Sequence, residues 1–209
     1  REQDKGLDEQ LGALCGPLGL IPTFAGIQPE ALERLPTTGL AHDHVRILGT
    51  GRLLRIPRQS QMRLDARSNL DYQAACFDRA SAGGHAPAYF GQLRPSPALP
   101  MGALIVEEIE GAPVALPEDL PAVARSLPSI HALPLPAPDD RPPLADPGDP
   151  YAATLEEVPR QADHLPAAAL DEDAQAMITA EIEAARRHAA ALEEPPPVTL
   201  ISFDAHPGN

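Results

Sequence analysis

The sequence LISFDAHPGN, residues 200–209, is the most informative stretch of the chain. The apolar segment at 198–201 is typical of a buried strand, so Asp204 is expected on the loop that follows it. A Pro-Gly pair then favours a turn that brings Asn209 back towards Asp204. A carboxylate that holds a hydroxyl, beside an amide oxygen that holds a magnesium ion, is what phosphoryl transfer requires. A surface turn capped by Asp204 is the simpler interpretation of this spacing alone.

The complete string DAHPGN is more specific than its spacing, and it resembles the catalytic loop of the aminoglycoside phosphotransferase and choline kinase family, usually written HGDxHPGN. The resemblance implies that Asp204 is the catalytic base and that Asn209 is a magnesium ligand. Ser202 stands where the family has His, and Phe203 where it has Gly, so the residues that brace the loop differ.

The family has a second magnesium ligand in an I-D-x-E or I-D-W string beyond the catalytic loop. By this resemblance the sequence is truncated after the loop. We therefore expect the 209-residue chain by itself to bind magnesium-ATP weakly and to transfer no phosphate.

Alternating apolar residues, a Gly-containing turn and a second apolar strand predict a β-hairpin within residues 37–57. The family often carries GGxSN before the first hairpin strand and LRIP or LK on the next. The resemblance implies that Gly39 lies in the loop over the ATP phosphates. It also implies that Arg55 replaces the strand lysine that holds the α- and β-phosphates, which a guanidinium can do bidentately. The alternative is an ordinary strand arginine that faces solvent.

The first hairpin strand carries His42 and His44, which alternation places on the same face. Two histidines suggest a metal site, but the sequence offers no third ligand. A polar hairpin face is the interpretation that we adopt.

Residues 69–80 predict a helix with Asn69 as its N-cap. One face of this helix collects Leu70, Gln73, Ala74 and Phe77. In the resembling helix of the family, a glutamate pairs with the strand lysine, and Gln73 stands at that place here. A neutral amide cannot form the ion pair, although its oxygen can accept a hydrogen bond from Arg55. A polar residue at the edge of the core is an equally good interpretation of Gln73.

A strongly apolar strand runs into an acidic bend within residues 101–111. This segment resembles the family's hinge between lobes, commonly LVMExxxG. The resemblance implies that adenine binds the backbone of Glu107, Glu108 and Ile109. A plain strand and turn is the alternative, but the order of hairpin, helix, strand and acidic bend favours the family.

Together these features imply an α+β, bilobal protein-kinase-like fold. A small β-rich N-terminal ATP-binding lobe would span residues 1–106, the hinge 107–111, and the first part of a helical C-terminal lobe 112–209. Helices are further predicted over residues 28–35, 120–131 and 170–192.

The implied activity is transfer of the γ-phosphoryl group of ATP, assisted by Mg²⁺, to a hydroxyl of a small-molecule acceptor. The replacements at Arg55, Gln73 and Ser202 motivate an alternative, a kinase-like nucleotide-binding or scaffold module without catalysis. A third possibility is an α+β binding domain whose resemblance to the kinases is accidental.

Composition narrows the remaining classes of function. The net charge of −14 and the pI near 4.8 argue against a nucleic-acid partner, because no basic stripe is present. An acidic chain suits a cationic substrate, although acidity commonly reflects solubility.

Cys15 and Cys76 lack metal-ligand spacing and are expected to be reduced thiols. Because the sequence shows neither a signal peptide nor an apolar run that could span a bilayer, we expect a cytoplasmic protein with no membrane partner. The acceptor and the oligomeric state are not indicated.

Overall fold

A computed structural model describes residues 2–36, 41–112, 114–144, 146, 148–162, 170–194 and 198–201. The described residues form a mixed structure of helices and a five-stranded antiparallel sheet, which confirms the α+β class. The chain divides into two compact units, residues 1–135 with 200–209, and residues 136–199. The bilobal organisation, with lobes at 1–106 and 112–209 and a hinge at 107–111, stays a prediction.

The first unit contains all five strands. In chain order its elements are α1 (Glu2–Gly19), β1 (Leu32–Arg34), β2 (His42–Ile47), β3 (Arg52–Pro57), α2 (Ala66–Ser81), β4 (Tyr89–Leu93), β5 (Ala103–Glu107) and α3 (Leu120–His131). The strand order in the sheet is β1-β2-β3-β5-β4, and every neighbouring pair is antiparallel.

The predicted hairpin is confirmed as β2 and β3. Their register runs from the pair His42 and Pro57 to the pair Ile47 and Arg52. Residues 48–51 make the turn, in which Gly49 and Gly51 have φ angles of 72° and 64°. These left-handed conformations cost least at glycine, so the sequence specifies where the hairpin reverses.

Alternation along the strands gives the sheet two faces, and a different helix covers each. On the first, which we call the α1 face, buried residues of α1 pack against buried residues of the strands, among them Leu14, Leu18, Val45, Ile47, Leu54 and Ile105. On the second, the α2 face, Leu70 and Ala74 of α2 pack against Leu104 and Val106 of β5. Because Ile105 lies between Leu104 and Val106 in the sequence, the two cores lie on opposite sides of the sheet.

The prediction of a helix over residues 28–35 is wrong. A single 3₁₀ turn covers Pro29–Ala31, and β1 follows it. Leu32 pairs with Ile47 and Arg34 with Val45. The tertiary pairing with β2 therefore overrides the local helical spacing.

The helix predicted over residues 69–80 is confirmed as α2, but its start is not. The N-cap is Asp65, whose carboxylate accepts hydrogen bonds of 3.0 Å from the backbone N–H groups of Arg67 and Ser68. Asn69 lies inside the helix and is 3% exposed. The sequence signal for a cap was therefore present one turn earlier than predicted.

The second unit contains α4 (Pro150–Ala162) and α5 (Glu172–Ala190). Asp149 Oδ1 accepts hydrogen bonds of 3.0 Å from two backbone N–H groups at the start of α4, and Asp171 Oδ1 accepts one of 2.7 Å at the start of α5. The helix predicted over residues 170–192 is confirmed as α5, and the helix predicted over residues 120–131 is confirmed as α3 of the first unit. α4 was not predicted.

The strand expected at residues 198–201 is not formed, since these residues have no regular secondary structure. As for membranes, no helix in the described ranges combines the length and apolarity needed to span a bilayer.

Candidate functional site

A cluster of three polar side chains occupies the α2 face at the open end of the hairpin. Arg55 comes from β3, His42 from β2 and Gln73 from α2. Arg55 Nη1 lies 2.6 Å from His42 Nε2 and 3.0 Å from Gln73 Oε1. The guanidinium carbon also lies 5.3 Å from the centre of the Phe77 ring. We call His42, Arg55 and Gln73 the arginine cluster.

The local sequence explains how the arginine cluster forms. Arg55 lies directly opposite His44 in the hairpin register, so His42 is one same-face position further along β2. The Asp65 cap fixes the start of α2. Leu70 and Ala74 then dock one side of α2 onto β5, and this brings Gln73 to the guanidinium.

The electrostatics of the cluster are those of a partly buried cation between neutral groups. Burial lowers the pKa of Arg55 to about 10. Burial, followed by the charge of Arg55, lowers the pKa of His42 to about 4 and also lowers that of His44. Within the described part of the chain, no carboxylate pairs with Arg55. The guanidinium therefore keeps its full positive charge at neutral pH.

The acidic bend begins where β5 ends, and hydrogen bonds to two other segments hold it. The Glu107 backbone N–H donates to the Ala88 carbonyl at 2.9 Å, and its carboxylate accepts from the Ala88 N–H at 3.0 Å. The Glu108 N–H donates to the Gly51 carbonyl at 2.8 Å. These contacts fix the backbone of residues 107 and 108.

The side chain of Glu108 is committed to an ion pair. Arg46 on β2 pairs through Nε with Glu108 and through Nη1 with Glu33 of β1, the second contact at 2.5 Å. These two carboxylates raise the pKa of Arg46. Glu108 can therefore offer an incoming ligand its backbone but not a free carboxylate.

The backbone after Glu107 keeps hydrogen-bonding capacity. As far as the described residues extend, neither the Glu107 carbonyl nor the Ile109 N–H has a hydrogen-bond partner. Ile109 itself is 61% exposed. One acceptor and one donor are thus open to a ligand.

β3 links the arginine cluster to the acidic bend, because Arg52 pairs with Glu107 and Arg55 with Leu104 in the same ladder. The structure therefore brings Arg55 and Gln73 into contact and places Glu107, Glu108 and Ile109 along the neighbouring strand end. Their role in nucleotide binding stays a prediction. Three other predicted site residues, Gly39, Asp204 and Asn209, lie outside the described residues.

Two contacts of the site, that of His42 with Arg55 and that of Arg46 with Glu33 and Glu108, were not predicted from the sequence. His42 was considered only as a metal ligand or as part of a polar face, and Arg46 was not considered. The register of the hairpin, set by the turn at 48–51, contains the signal for the His42 contact, since it places His44 opposite Arg55. The contact of Arg46 with Glu33 follows from the pairing of β1 with β2, and β1 was not predicted. The rings of His42 and His44 lie 6.4 Å apart on the shared face. The described residues contain no cluster of three or more potential metal ligands.

Comparisons with known proteins add little to this geometry. No family model matches the chain, and no curated protein matches it. Among solved structures, the chain is similar to a choline/ethanolamine kinase family protein from Mesorhizobium loti, with 24% identity and a TM-score of 0.39. The match covers 74% of this chain and 52% of that protein, so this chain spans about half of its length. A likeness of this extent is a similarity only, and neither fold nor function follows from it.

Proposed function

We propose that this chain belongs to an ATP-dependent phosphotransferase that moves the γ-phosphoryl group to a hydroxyl of a small molecule. The observation that carries the proposal is the uncompensated charge of Arg55. A partly buried cation without a carboxylate partner among the described residues is costly unless an anion approaches it. The phosphates of a nucleotide supply such an anion.

The described residues fit a nucleotide at two places. Arg55 offers guanidinium N–H groups that the arginine cluster does not use. The Glu107 carbonyl and the Ile109 N–H offer an acceptor and a donor, which match the amino group and a ring nitrogen of adenine. The pairs along β3 and β5 keep these two places on one rigid ladder. Phosphoryl transfer depends mainly on such positioning and on charge.

The chemical step is assigned to residues of the DAHPGN string. Asp204 would accept or orient the proton of the acceptor hydroxyl as that oxygen attacks phosphorus. Asn209 would hold Mg²⁺, which neutralises charge on the phosphates when it is bound. Gly39 would lie over the phosphates, as the sequence resemblance implies. The acceptor is unidentified.

A second candidate function is nucleotide binding without catalysis. It is favoured by the neutral contact between Arg55 and Gln73, which takes the place of a lysine–glutamate ion pair. Ser202 in place of the family's histidine points the same way. In this case the arginine cluster would bind nucleotide, and no phosphate would reach an acceptor.

Transfer and binding assays on the full-length protein and on its Asp204→Asn variant separate the two functions and test Asp204 as the base. We expect phosphate transfer to a panel of amino alcohols and aminoglycosides to fall at least about a hundredfold. ATP affinity measured by calorimetry should be unchanged, because Asp204 acts on the acceptor and not on the nucleotide. Asp173→Asn, an exposed carboxylate on α5, is the matched control and should have no effect.

Each alternative outcome has a distinct meaning. Transfer by Asp204→Asn near the unmutated rate would show that Asp204 is not the base. Nucleotide binding without transfer by the unmutated protein would favour the second candidate. Absence of both activities would contradict the proposed function altogether.

A further inference from the structure

We propose that His42 is a positioning residue that, together with Gln73, holds the Arg55 guanidinium so that its opposite edge binds a polyphosphate anion. Neither the catalytic-loop string nor the hinge implies a role for this histidine. The inference rests on the proposed function only for the identity of the anion, a nucleotide polyphosphate.

The hydrogen count at Arg55 Nη1 fixes the roles of the three side chains. A guanidinium only donates, so the 2.6 Å contact requires that His42 Nε2 is unprotonated and accepts. Neutral His42 therefore carries its proton on Nδ1. Gln73 Oε1 accepts the other Nη1 hydrogen at 3.0 Å. His42 Nε2 and Gln73 Oε1 lie 3.3 Å apart, since both contact the same Nη1 group.

These two hydrogen bonds both use the Nη1 group of the guanidinium and leave its other nitrogens available. Over the part of the chain that the structure describes, Nε and Nη2 of Arg55 have no hydrogen-bond partner. These two nitrogens form the planar edge that binds an anionic oxygen pair side by side. Holding Nη1 from two directions fixes the plane of the guanidinium, and so fixes where that edge points.

The choice of acceptors matters as much as their number. A carboxylate at either position would form an ion pair with the guanidinium and offset its positive charge. His42 and Gln73 orient the cation without neutralising it. His42 stays neutral at physiological pH because burial and the adjacent charge of Arg55 oppose its protonation. An incoming phosphate therefore meets an oriented and uncompensated positive charge.

The protonation state of His42 can be tested without any ligand. Two-dimensional ¹H–¹⁵N spectra of the imidazole side chains should show, for the unmutated protein at pH 7, a neutral His42 with its proton on Nδ1. The signal is assigned by its loss in His42→Gln. A His42 protonated on Nε2, or positively charged, would overturn the inference, because Nε2 could not then accept from Arg55.

A double-mutant cycle tests whether His42 acts through Arg55. The probes are ATP and inorganic tripolyphosphate, titrated calorimetrically without magnesium. We expect His42→Ala to weaken binding about tenfold, the equivalent of one hydrogen bond to a charged group. In an Arg55→Ala background the same change should cost less than about twofold.

His44→Ala is the matched control, since His44 shares the strand and the face but makes no hydrogen bond to Arg55 among the described contacts. It should change affinity less than about twofold. His42→Gln retains an acceptor oxygen and should recover part of the loss. It also serves where His42→Ala does not fold.

Equal losses from His42→Ala with and without Arg55 would overturn the inference, as would an unmutated protein that binds no tripolyphosphate. Polyphosphate binding with the expected coupling, but without transfer to any acceptor by the full-length protein, would uphold the role of His42 and contradict the phosphotransferase proposal.

Discussion

The α1 face and the α2 face of the sheet are built from alternate residues of the same strands, yet their chemistry differs. The buried residues that pack on the α1 face are all apolar, and Leu54 and Leu18 there are fully buried. The α2 face is apolar where α2 meets β5, and Leu53 of β3 packs against the same core. Towards the open end of the hairpin, it carries the arginine cluster.

This difference separates stability from candidate function at the level of single residues. Leu54 and Arg55 are neighbours in β3, but one faces the α1 core and the other faces His42 and Gln73. Side chains along a strand alternate, so one strand can serve two purposes without a conflict of packing. Substitutions in the α1 core should therefore lower stability, whereas substitutions in the arginine cluster should weaken ligand binding.

The largest expected effect is on the α1 face. Leu54→Ala should lower the free energy of unfolding by about 2–5 kcal/mol, because a fully buried leucine leaves a cavity. Urea denaturation measures the loss. Leu53→Ala is the control from the α2 face, where the side chain is only partly buried, and it should cost less. Equal losses at the two positions would remove the distinction between the faces.

The next effect is on the α2 face and concerns ligand binding. Arg55→Ala should weaken ATP binding about ten- to a hundredfold, the range expected for lost hydrogen bonds to a charged ligand. Gln73→Ala should weaken it less, since His42 still holds the guanidinium. Isothermal titration of both variants decides the order.

Arg58→Ala removes the same charge from the end of the same hairpin, where the guanidinium pairs with Asp43, and it controls for net charge. A loss from Gln73→Ala equal to or greater than that from Arg55→Ala would contradict the assignment of Arg55 as the phosphate contact.

The smallest effect is the pH dependence that the α2 face adds to stability. The unfolded chain protonates His42 near the ordinary pKa of 6.5, whereas the folded protein does so only near 4. The unfolded state therefore binds more protons in this window, so the free energy of unfolding should fall as the pH falls from 6.5 to 4. The pKa of His44 is lowered in the same direction.

Thermal unfolding at pH 5 and pH 7 measures this dependence. His42→Gln should show a smaller difference between the two pH values than the unmutated protein. A difference that is the same in both proteins would show that His42 does not titrate in this way.

The elements that the sequence predicted well are those whose signals are local. Alternation and the glycines of the 48–51 turn predicted the hairpin, and the apolar spacing of residues 70–77 predicted the buried side of α2. The elements that it predicted badly depend on distant partners. β1 exists because β2 pairs with it. The apolar run at 198–201 predicted a strand, but these residues have no regular secondary structure.

The candidate site divides in the same way. Arg55, Gln73 and the acidic bend were identified through the resemblance of their segments to those of the kinase family, and Arg55 and Gln73 do make contact. His42 was not identified as a partner of Arg55, because that contact depends on hairpin register and on side-chain reach. α4 was missed because prolines concentrate in the surrounding sequence, although Asp149 and Pro150 form an ordinary helix start.

The short turn between β2 and β3 has a consequence for the order of folding. Only residues 48–51 have to close before His42 and Arg55 can approach each other. Pairing of β3 with β5 instead requires closure of the whole stretch from Arg58 to Gly102, which costs more chain entropy. Local contacts form faster than distant ones. Formation of the hairpin should therefore bring His42 and Arg55 near one another first. Gln73 should reach them only when α2 packs on β5.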